Sequence, residues 1–349
     1  MGSRRSRADK ARSLTINSHG PHQQHHETAL LSRAEQQLNA LNPGAHLANQ
    51  RIYSFSLTDR DAHRIALDDP RGRSISSNLV LRDIFSFSVI EGQEDRLNLE
   101  AQFRQYEASI KTNTLELLRK LRTSEQDVKK EVLELFASKF VNFLRNPYSI
   151  HKVLNTIGGL LAYEPTDPIL LAHYRAVLDG KKPQQEHLCR QLGIDASTYR
   201  RWLAALFMAL FRPTPNLPNL MEGIIKNIFE SCAHSAHVAV FQFVDEHADK
   251  RCLLSDRAFV NPIPDSTGLS FSFNLNAAAF INYTFFDIDQ FAGGKVSPHV
   301  IERFKAQPRN VQLQFVTNRL DALASYNRNA VYQCAHSVYC SSTSVYGVM

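Results

Sequence analysis

Residues 237–244 have the sequence His-Val-Ala-Val-Phe-Gln-Phe-Val, which is rich in β-branched and aromatic side chains. This composition predicts a β-strand. Strands are also predicted for three later apolar runs, at residues 252–254, 269–275 and 279–286. The pattern before residue 237 is mainly helical, so this point of change decides the fold class.

The segments before this stretch have apolar residues at a spacing near 3.6, which predicts α-helices. Helices are predicted at residues 97–121, 124–144 and 150–163. A further helix opens at Thr166-Asp167-Pro168 and ends near Asp179-Gly180, and another runs to about residue 234. Towards the two ends of the chain, the patterns predict a helix at 27–41, a strand at 52–57 and a long helix at about 311–339.

This order of elements indicates the α+β class rather than a doubly wound sheet. We expect a helical middle and a small, mainly antiparallel sheet from N- and C-terminal segments. Residues 25–349 form a single α+β domain in this interpretation, with a helical subdomain at about 95–234 and a sheet-containing part at about 237–349. Residues 1–24 are polar, basic and rich in Gly, His and Ser, which predicts a disordered arm.

The net charge of the 349-residue chain is +6, but residues 1–12 hold five basic side chains and one acidic one. The rest of the chain therefore carries a net charge of only +2. A basic tail attracts nucleic acid without sequence preference. No run approaches the roughly 18 apolar residues of a membrane span. Five scattered cysteines without a Cys-x-x-Cys pair favour a reducing cytoplasm. We expect a cytoplasmic protein with no membrane partner.

The triplet Ser255-Asp256-Arg257 follows the apolar run at 252–254. A carboxylate at the end of a strand can bind a divalent metal or act as a general base, and a neighbouring arginine can hold an anion. Asp256 and Arg257 are therefore candidate catalytic residues, with a divalent metal as a candidate cofactor. The alternative is structural: Asp256 caps a turn and pairs with Arg257.

A histidine and a glutamate are further candidates. His26 stands beside Glu27 at the start of the first predicted helix, where an imidazole could enter a folded site. Glu107 lies seven residues after Glu100 and hence on the same helical face. Arg104 between them favours ordinary surface pairing as the alternative. A candidate zinc-binding group is formed by His19, His22, His25 and His26.

Arg145 and His151 form a second, separate catalytic candidate. Metal-independent HEPN-type ribonucleases use an Arg and a His at such a spacing, with His in acid/base steps and Arg stabilising phosphate charge. The alternative is a helix–helix turn at Pro147 with an ordinary basic face.

Residues 185–207 resemble a helix-turn-helix. Gly193 would make the turn, and Tyr199 and Trp202 would form a small core. The candidate nucleic-acid contacts at the start of the second helix are Ser197, Thr198, Arg200 and Arg201. Because residues 202–211 are apolar on every face, the alternative is a structural helical corner within a larger core.

The order of short motifs along the chain resembles a bacterial domain-of-unknown-function family, the one numbered 4238. The matching positions, spread over roughly residues 25–335, are His26, Arg51-Ile52-Tyr53-Ser54-Phe55, Glu100 with Glu107, Arg145-Asn146-Pro147, Leu254-Ser255-Asp256, and Asn318 with Val331-Tyr332. The resemblance implies a cytoplasmic bacterial protein with a role in defence or mobile elements. It implies no particular reaction.

These candidates support three functional hypotheses. The first is a nuclease or phosphate-ester hydrolase in bacterial defence, with Asp256 as the central acid and Glu107 and His26 completing the site. Arg257 would hold the anionic substrate and Asn318 would orient it. The second is a nucleic-acid-binding or regulatory protein that uses the helix-turn-helix-like segment. The third is an interaction protein without catalysis, in which Asp256 closes a turn.

Overall fold

The fold is known from a computed structural model. The structure describes residues 27–78, 80–82, 84–88, 96–125, 127–182, 185–212, 217–231, 233–262, 268–306 and 311–349. The predicted arm at 1–24 and all four histidines of the candidate zinc group lie outside the described residues.

The α-helices of the described residues carry the labels α1 to α11. They are α1 (Arg33–Leu38), α2 (Glu100–Arg122), α3 (Lys129–Leu144), α4 (Ile150–Ile157), α5 (Pro168–Asp179), α6 (Gln185–Leu192), α7 (Ala196–Leu210), α8 (Leu220–Glu230), α9 (Ile288–Ala292), α10 (Pro298–Lys305) and α11 (Leu320–Gln333). Seven of them, α2 to α8, follow one another without an intervening strand in the described residues. The predicted α+β class with a helical middle is therefore confirmed.

The strands carry the labels β1 to β13. They are β1 (Glu27–Ala29), β2 (Arg51–Asp59), β3 (Arg64–Leu67), β4 (Arg73–Ser74), β5 (Val80–Arg82), β6 (Ser86–Ser88), β7 (Arg96–Asn98), β8 (His234–Gln242), β9 (Leu254–Ser255), β10 (Gly268–Asn276), β11 (Ala279–Asp287), β12 (Gln312–Thr317) and β13 (Ser337–Cys340).

The strands form two main sheets where the sequence predicted one. The larger has the order β10-β11-β8-β12, in which only the β8–β12 pair is parallel. The second has the order β3-β2-β13-β9, with β4 also paired to β2. It joins N-terminal and C-terminal strands as expected. Two small antiparallel pairs, β1–β5 and β6–β7, lie apart from them.

The predicted long helix at 311–339 is wrong. This segment is strand β12, helix α11 and strand β13 in succession. Asn318 has a positive φ of 57°, a backbone conformation that ends the strand before the helix begins. Val338 and Tyr339 pair with both β2 and β9, so sheet pairing outweighs the local helical pattern.

Two other predicted helices are shorter than expected. The segment 27–41 begins with β1 and becomes helical only at α1, because Glu27 to Ala29 pair with β5. The segment 150–163 is α-helical in α4 and then tightens into a 3₁₀ turn at Gly158–Ala162. Gly158 and Gly159 disfavour continued α-helix there.

The larger sheet separates two apolar cores. On one face, Phe136 of α3 has six aromatic rings around it, with centroids 4.8 to 6.2 Å away. On the opposite face, Tyr326 of α11 stacks on Phe280 of β11 with a centroid distance of 4.3 Å. Side chains of one strand alternate between faces, so both faces can be apolar.

A buried ion pair crosses the larger core. Lys139 of α3 donates from Nζ to Oε1 of Glu35 in α1 at 2.6 Å, and neither side chain is more than 1% exposed. The second carboxylate oxygen accepts from Asn142 at 2.7 Å, and Lys139 also donates to the backbone oxygen of Asn274 in β10 at 2.6 Å. This network ties the N-terminal segment to α3 and to the larger sheet.

Candidate functional site

Asp256 lies directly after β9 and is almost completely buried. Its carboxylate accepts hydrogen bonds from three consecutive backbone N–H groups, those of Ala335 (2.8 Å), His336 (2.7 Å) and Ser337 (2.9 Å). Burial raises the pKa of Asp256, while these N–H donors favour the charged form and oppose that shift. The carboxylate therefore closes the turn between α11 and β13.

Arg60 binds the backbone carbonyl groups of the same turn. The guanidinium donates to the backbone oxygens of Tyr332, Cys334 (2.9 Å) and Ala335 (3.4 Å). Since Asp256 binds the N–H groups and Arg60 the C=O groups, side chains satisfy both kinds of backbone group in this turn. This geometry favours the turn-capping alternative for Asp256 over a metal ligand or general base.

Glu107 is half-buried on α2 and forms an ion pair with the buried Arg145, which follows α3. The Arg145 guanidinium also lies 5.4 Å from the ring centroid of Phe103. The next residue, Asn146, donates to the backbone oxygen of Asp256 at 2.7 Å. The structure thus brings Glu107 and Asp256 to one region of the molecule, but each carboxylate has partners of its own.

Asn318 lies at the opposite end of α11 from Asp256. Its side-chain oxygen accepts from the backbone N–H of Val244 at 2.9 Å, next to the larger sheet. The 14 residues of α11 span about 21 Å at the usual rise per residue. Asn318 therefore does not share a site with Asp256, and His26 lies outside the described residues.

Arg145 and His151 lie in different environments and do not form one site. Arg145 is buried beside Glu107, whereas His151 is exposed on α4. Pro147 begins a 3₁₀ turn between them, as the helix–helix-turn alternative expects. Of the other predicted positions on α2, Arg104 is exposed, as surface pairing would require.

Helices α6 and α7 form a helix-turn-helix. Gly193 has a φ of 65° in the turn, and the backbone N–H of Ile194 closes it onto the oxygen of Cys189 at 3.0 Å. Asp195 then caps α7 by accepting from the backbone N–H of Thr198 at 2.7 Å. The predicted glycine turn is confirmed.

The first turn of α7 faces outward although the rest of the helix is buried. Tyr199 and Trp202 have no exposed surface, and Trp202 donates to the backbone oxygen of Leu144 at 2.8 Å. Ser197 and Arg201 are exposed, and Arg200 is half-buried. The helix is thus embedded in the core but presents its N-terminal side chains to solvent.

Basic side chains gather around this helix-turn-helix. They are Lys181, Arg190, Arg200 and Arg201, together with the buried Lys182, and we refer to these five side chains as the α7 basic surface. Within the described part of the chain, none of them forms an ion pair with a carboxylate. Burial, with a smaller contribution from Arg200, lowers the pKa of Lys182 to about 8. These cations therefore have no directly paired carboxylate in the described residues, although the charge of Asp179 acts on Lys182.

Arg257 is half-buried, and its guanidinium forms no ion pair with Asp256, unlike the pairing that the turn-capping alternative expected. The Asp256 carboxylate beside it is occupied by the backbone of the 335–337 turn. The nearby side chains of Tyr148, Lys152 and His336 carried no motif, so the sequence offered no signal for them. They come from α4 with its preceding turn and from the α11–β13 connection, which only the folded chain brings together.

No protein-family model, curated protein or solved structure matches this chain. The resemblance to the 4238 family therefore stays a prediction from the order of short motifs. In the ranges that the structure describes, no three His, Cys, Asp or Glu side chains gather as a metal site would require. No helix within those ranges is both long and apolar enough to cross a bilayer.

Proposed function

We propose that this protein binds nucleic acid through the helix-turn-helix of α6 and α7. One observation carries the proposal: the N-terminal part of α7 presents Ser197 and Arg201 to solvent and Arg200 in part, while most of the remaining helix is fixed in the core. A recognition helix needs this combination, because its N-terminal side chains must reach bases and phosphates from a rigid support.

The charge of the α7 basic surface supports the same proposal. Arginine and lysine side chains that lack carboxylate partners can replace the counterions of a phosphate backbone. The body of the chain is only slightly basic, so the attraction is local rather than spread over the molecule. Arg201 is exposed and Arg200 half-buried, which suits contacts by both at one groove.

The hydrolase hypothesis has less support. Its central acid, Asp256, accepts three backbone N–H groups and is buried, so a substrate or metal would have to displace those hydrogen bonds. Roles in bacterial defence and a cytoplasmic location stay compatible with a nucleic-acid-binding protein and belong to the same proposal.

The test is the salt dependence of binding to double-stranded DNA of mixed sequence. We expect log K to fall steeply with log salt for the wild-type protein. The double variant Arg200→Ala with Arg201→Ala should bind more weakly, and its slope should be smaller by about 2. The matched control is Arg104→Ala with Arg303→Ala, which removes the same charge from exposed sites elsewhere and should change neither quantity. Equal slopes for the two double variants would contradict the proposal.

A further inference from the structure

A cluster of polar side chains surrounds Arg257 where α4 meets the segment after β9. We call it the Arg257 cluster, and its members are Tyr148, Lys152, Arg257 and His336. Three contacts bring their segments together. Ser149 donates from Oγ to the backbone oxygen of Arg257 at 3.4 Å. The Lys152 ammonium lies 5.7 Å from the ring centroid of Phe259. The rings of Tyr148 and His336 meet edge to face at 5.3 Å.

The guanidinium of Arg257 has donors without a partner in the protein. Its Nε is buried and has no acceptor for its hydrogen bond. No described residue accepts a hydrogen bond from this side chain or forms an ion pair with it. The adjacent Asp256 forms no hydrogen bond or ion pair with this guanidinium, and its two oxygens accept three backbone N–H groups. A buried donor without an acceptor costs about 1–3 kcal/mol, and an acceptor from outside the chain would offset this cost.

Lys152 adds a second positive charge at the same place. Partial desolvation of its ammonium, followed by the charge of Arg257, lowers the pKa of Lys152, although the residue as a whole is exposed. Burial likewise lowers the pKa of Arg257, although Asp256 opposes the shift. Among the residues that the structure describes, Lys152 forms no ion pair with a carboxylate. Two cations held close together repel each other, and an anion between them would offset that repulsion.

The remaining two side chains suit an anion with several oxygens. Burial raises the pKa of Tyr148, so its hydroxyl keeps its proton and can donate. His336 is exposed, its backbone N–H donates to Asp256, and its imidazole contacts the ring of Tyr148. A planar guanidinium, an ammonium and a hydroxyl donor match the charge and the oxygens of a phosphate dianion better than a single carboxylate.

We propose that the Arg257 cluster binds a terminal phosphate group, either of a free phosphate monoester or of a 5′-phosphorylated nucleic-acid end. Arg257 and Lys152 neutralise the dianion, and Tyr148 donates a hydrogen bond to it. Lys152 and His336 are exposed, so the group can reach the cluster from solvent. The site is independent of nucleic-acid binding by α6 and α7, because none of its members belongs to those helices.

The experiment is calorimetric titration of the full chain with inorganic phosphate at constant ionic strength. We expect Lys152→Gln and Arg257→Gln each to weaken binding about tenfold, as loss of one charge-assisted hydrogen bond implies. Lys226→Gln removes an exposed charge from α8 and should leave binding unchanged. Lys152 is exposed, so its variant should fold even where Arg257→Gln does not. Phosphate affinity that is equal for Lys152→Gln and the wild-type protein would overturn the proposal.

Two further ligands separate the sources of the phosphate. A nucleoside monophosphate should bind as well as or better than inorganic phosphate if the ligand is a free monoester. A single-stranded oligonucleotide with a 5′ phosphate should bind more tightly than its 5′-hydroxyl counterpart if the ligand is a nucleic-acid end. Failure of all three phosphate ligands to bind would refute the cluster as a site and leave the helix-turn-helix proposal untouched.

Discussion

At the scale of single residues, the position of Asp256 in the sequence does not determine whether it is catalytic or structural. A carboxylate after a strand can be a catalytic acid or a turn cap, and the surrounding atoms decide which. Here the three nearest donors are backbone N–H groups of the α11–β13 turn, and they occupy both carboxylate oxygens. Arg257, beside it, is left with unpaired donors, so the second residue of the motif is the better candidate for binding.

We predict that Asp256→Ala lowers the free energy of unfolding by about 3 kcal/mol or more, because three buried N–H groups lose their acceptor. Asp256→Asn keeps one acceptor oxygen and should cost less. Urea denaturation measures both effects. Asp61→Ala, at an exposed position, is the control and should change stability by no more than about 0.5 kcal/mol. An Asp256→Ala protein as stable as the wild type would show that the turn does not depend on this carboxylate.

At the scale of elements, α7 combines a buried body with an exposed first turn. Tyr199 and Trp202 anchor it, and the turn at Gly193 sets the direction in which α6 arrives. Lys182, before α6, is 6% exposed and donates from Nζ to the backbone oxygen of Gly180 at 2.7 Å. Its pKa of about 8 makes the α7 basic surface sensitive to pH near neutrality.

We predict that DNA binding weakens between pH 7 and pH 9 at constant ionic strength. Lys182 is charged below its pKa of about 8 and neutral above it, so the surface loses one positive charge over this interval. Arg200 and Asp179 are the charged groups that act on it. A phosphate that raises this pKa by one unit would make binding about fivefold tighter at pH 7 than at pH 9.

Fluorescence anisotropy with labelled DNA at pH 7, 8 and 9 measures the effect. The Lys182→Met variant should bind DNA more weakly at pH 7. It should also lose the decrease in affinity between pH 7 and pH 9, which we call the pH step. Lys226→Met, which removes an exposed lysine from α8, should retain the step. A step of the same size in Lys182→Met as in the wild-type protein would assign it to another group.

At the scale of the whole molecule, a buried polar network joins parts that are far apart in sequence. Glu35, Lys139 and Asn142 meet the backbone of β10 inside the larger core. Asn39 and Asn274 add a reciprocal pair of amide hydrogen bonds at 2.7 and 3.0 Å. A network of this kind is favourable only while every partner is present, so it selects one arrangement of α1, α3 and the sheet.

We predict that Lys139→Met lowers the free energy of unfolding by about 3–5 kcal/mol, because Glu35 is left as an unpaired buried charge. The double variant Glu35→Gln with Lys139→Met should cost less than the sum of the single changes. A double-mutant cycle by chemical denaturation measures this coupling. The exposed pair Lys226 and Glu230, 3.9 Å apart, is the matched control and should show coupling below about 0.5 kcal/mol. Strictly additive effects at Glu35 and Lys139 would contradict the prediction.

Local patterns in the sequence determined the α+β class, helices such as α2, α3 and α5, and the glycine turn before α7. These features depend on the spacing of apolar side chains, on caps such as Asp167 and on the freedom of glycine, all of which act over a few residues. Tertiary structure alone decided that residues 311–339 divide into strand, helix and strand, because β12 and β13 are held by strands distant in sequence. It also decided that Asp256 caps a turn and that Arg257 lies near Lys152, since the partners of both come from segments about 80 to 110 residues away along the chain.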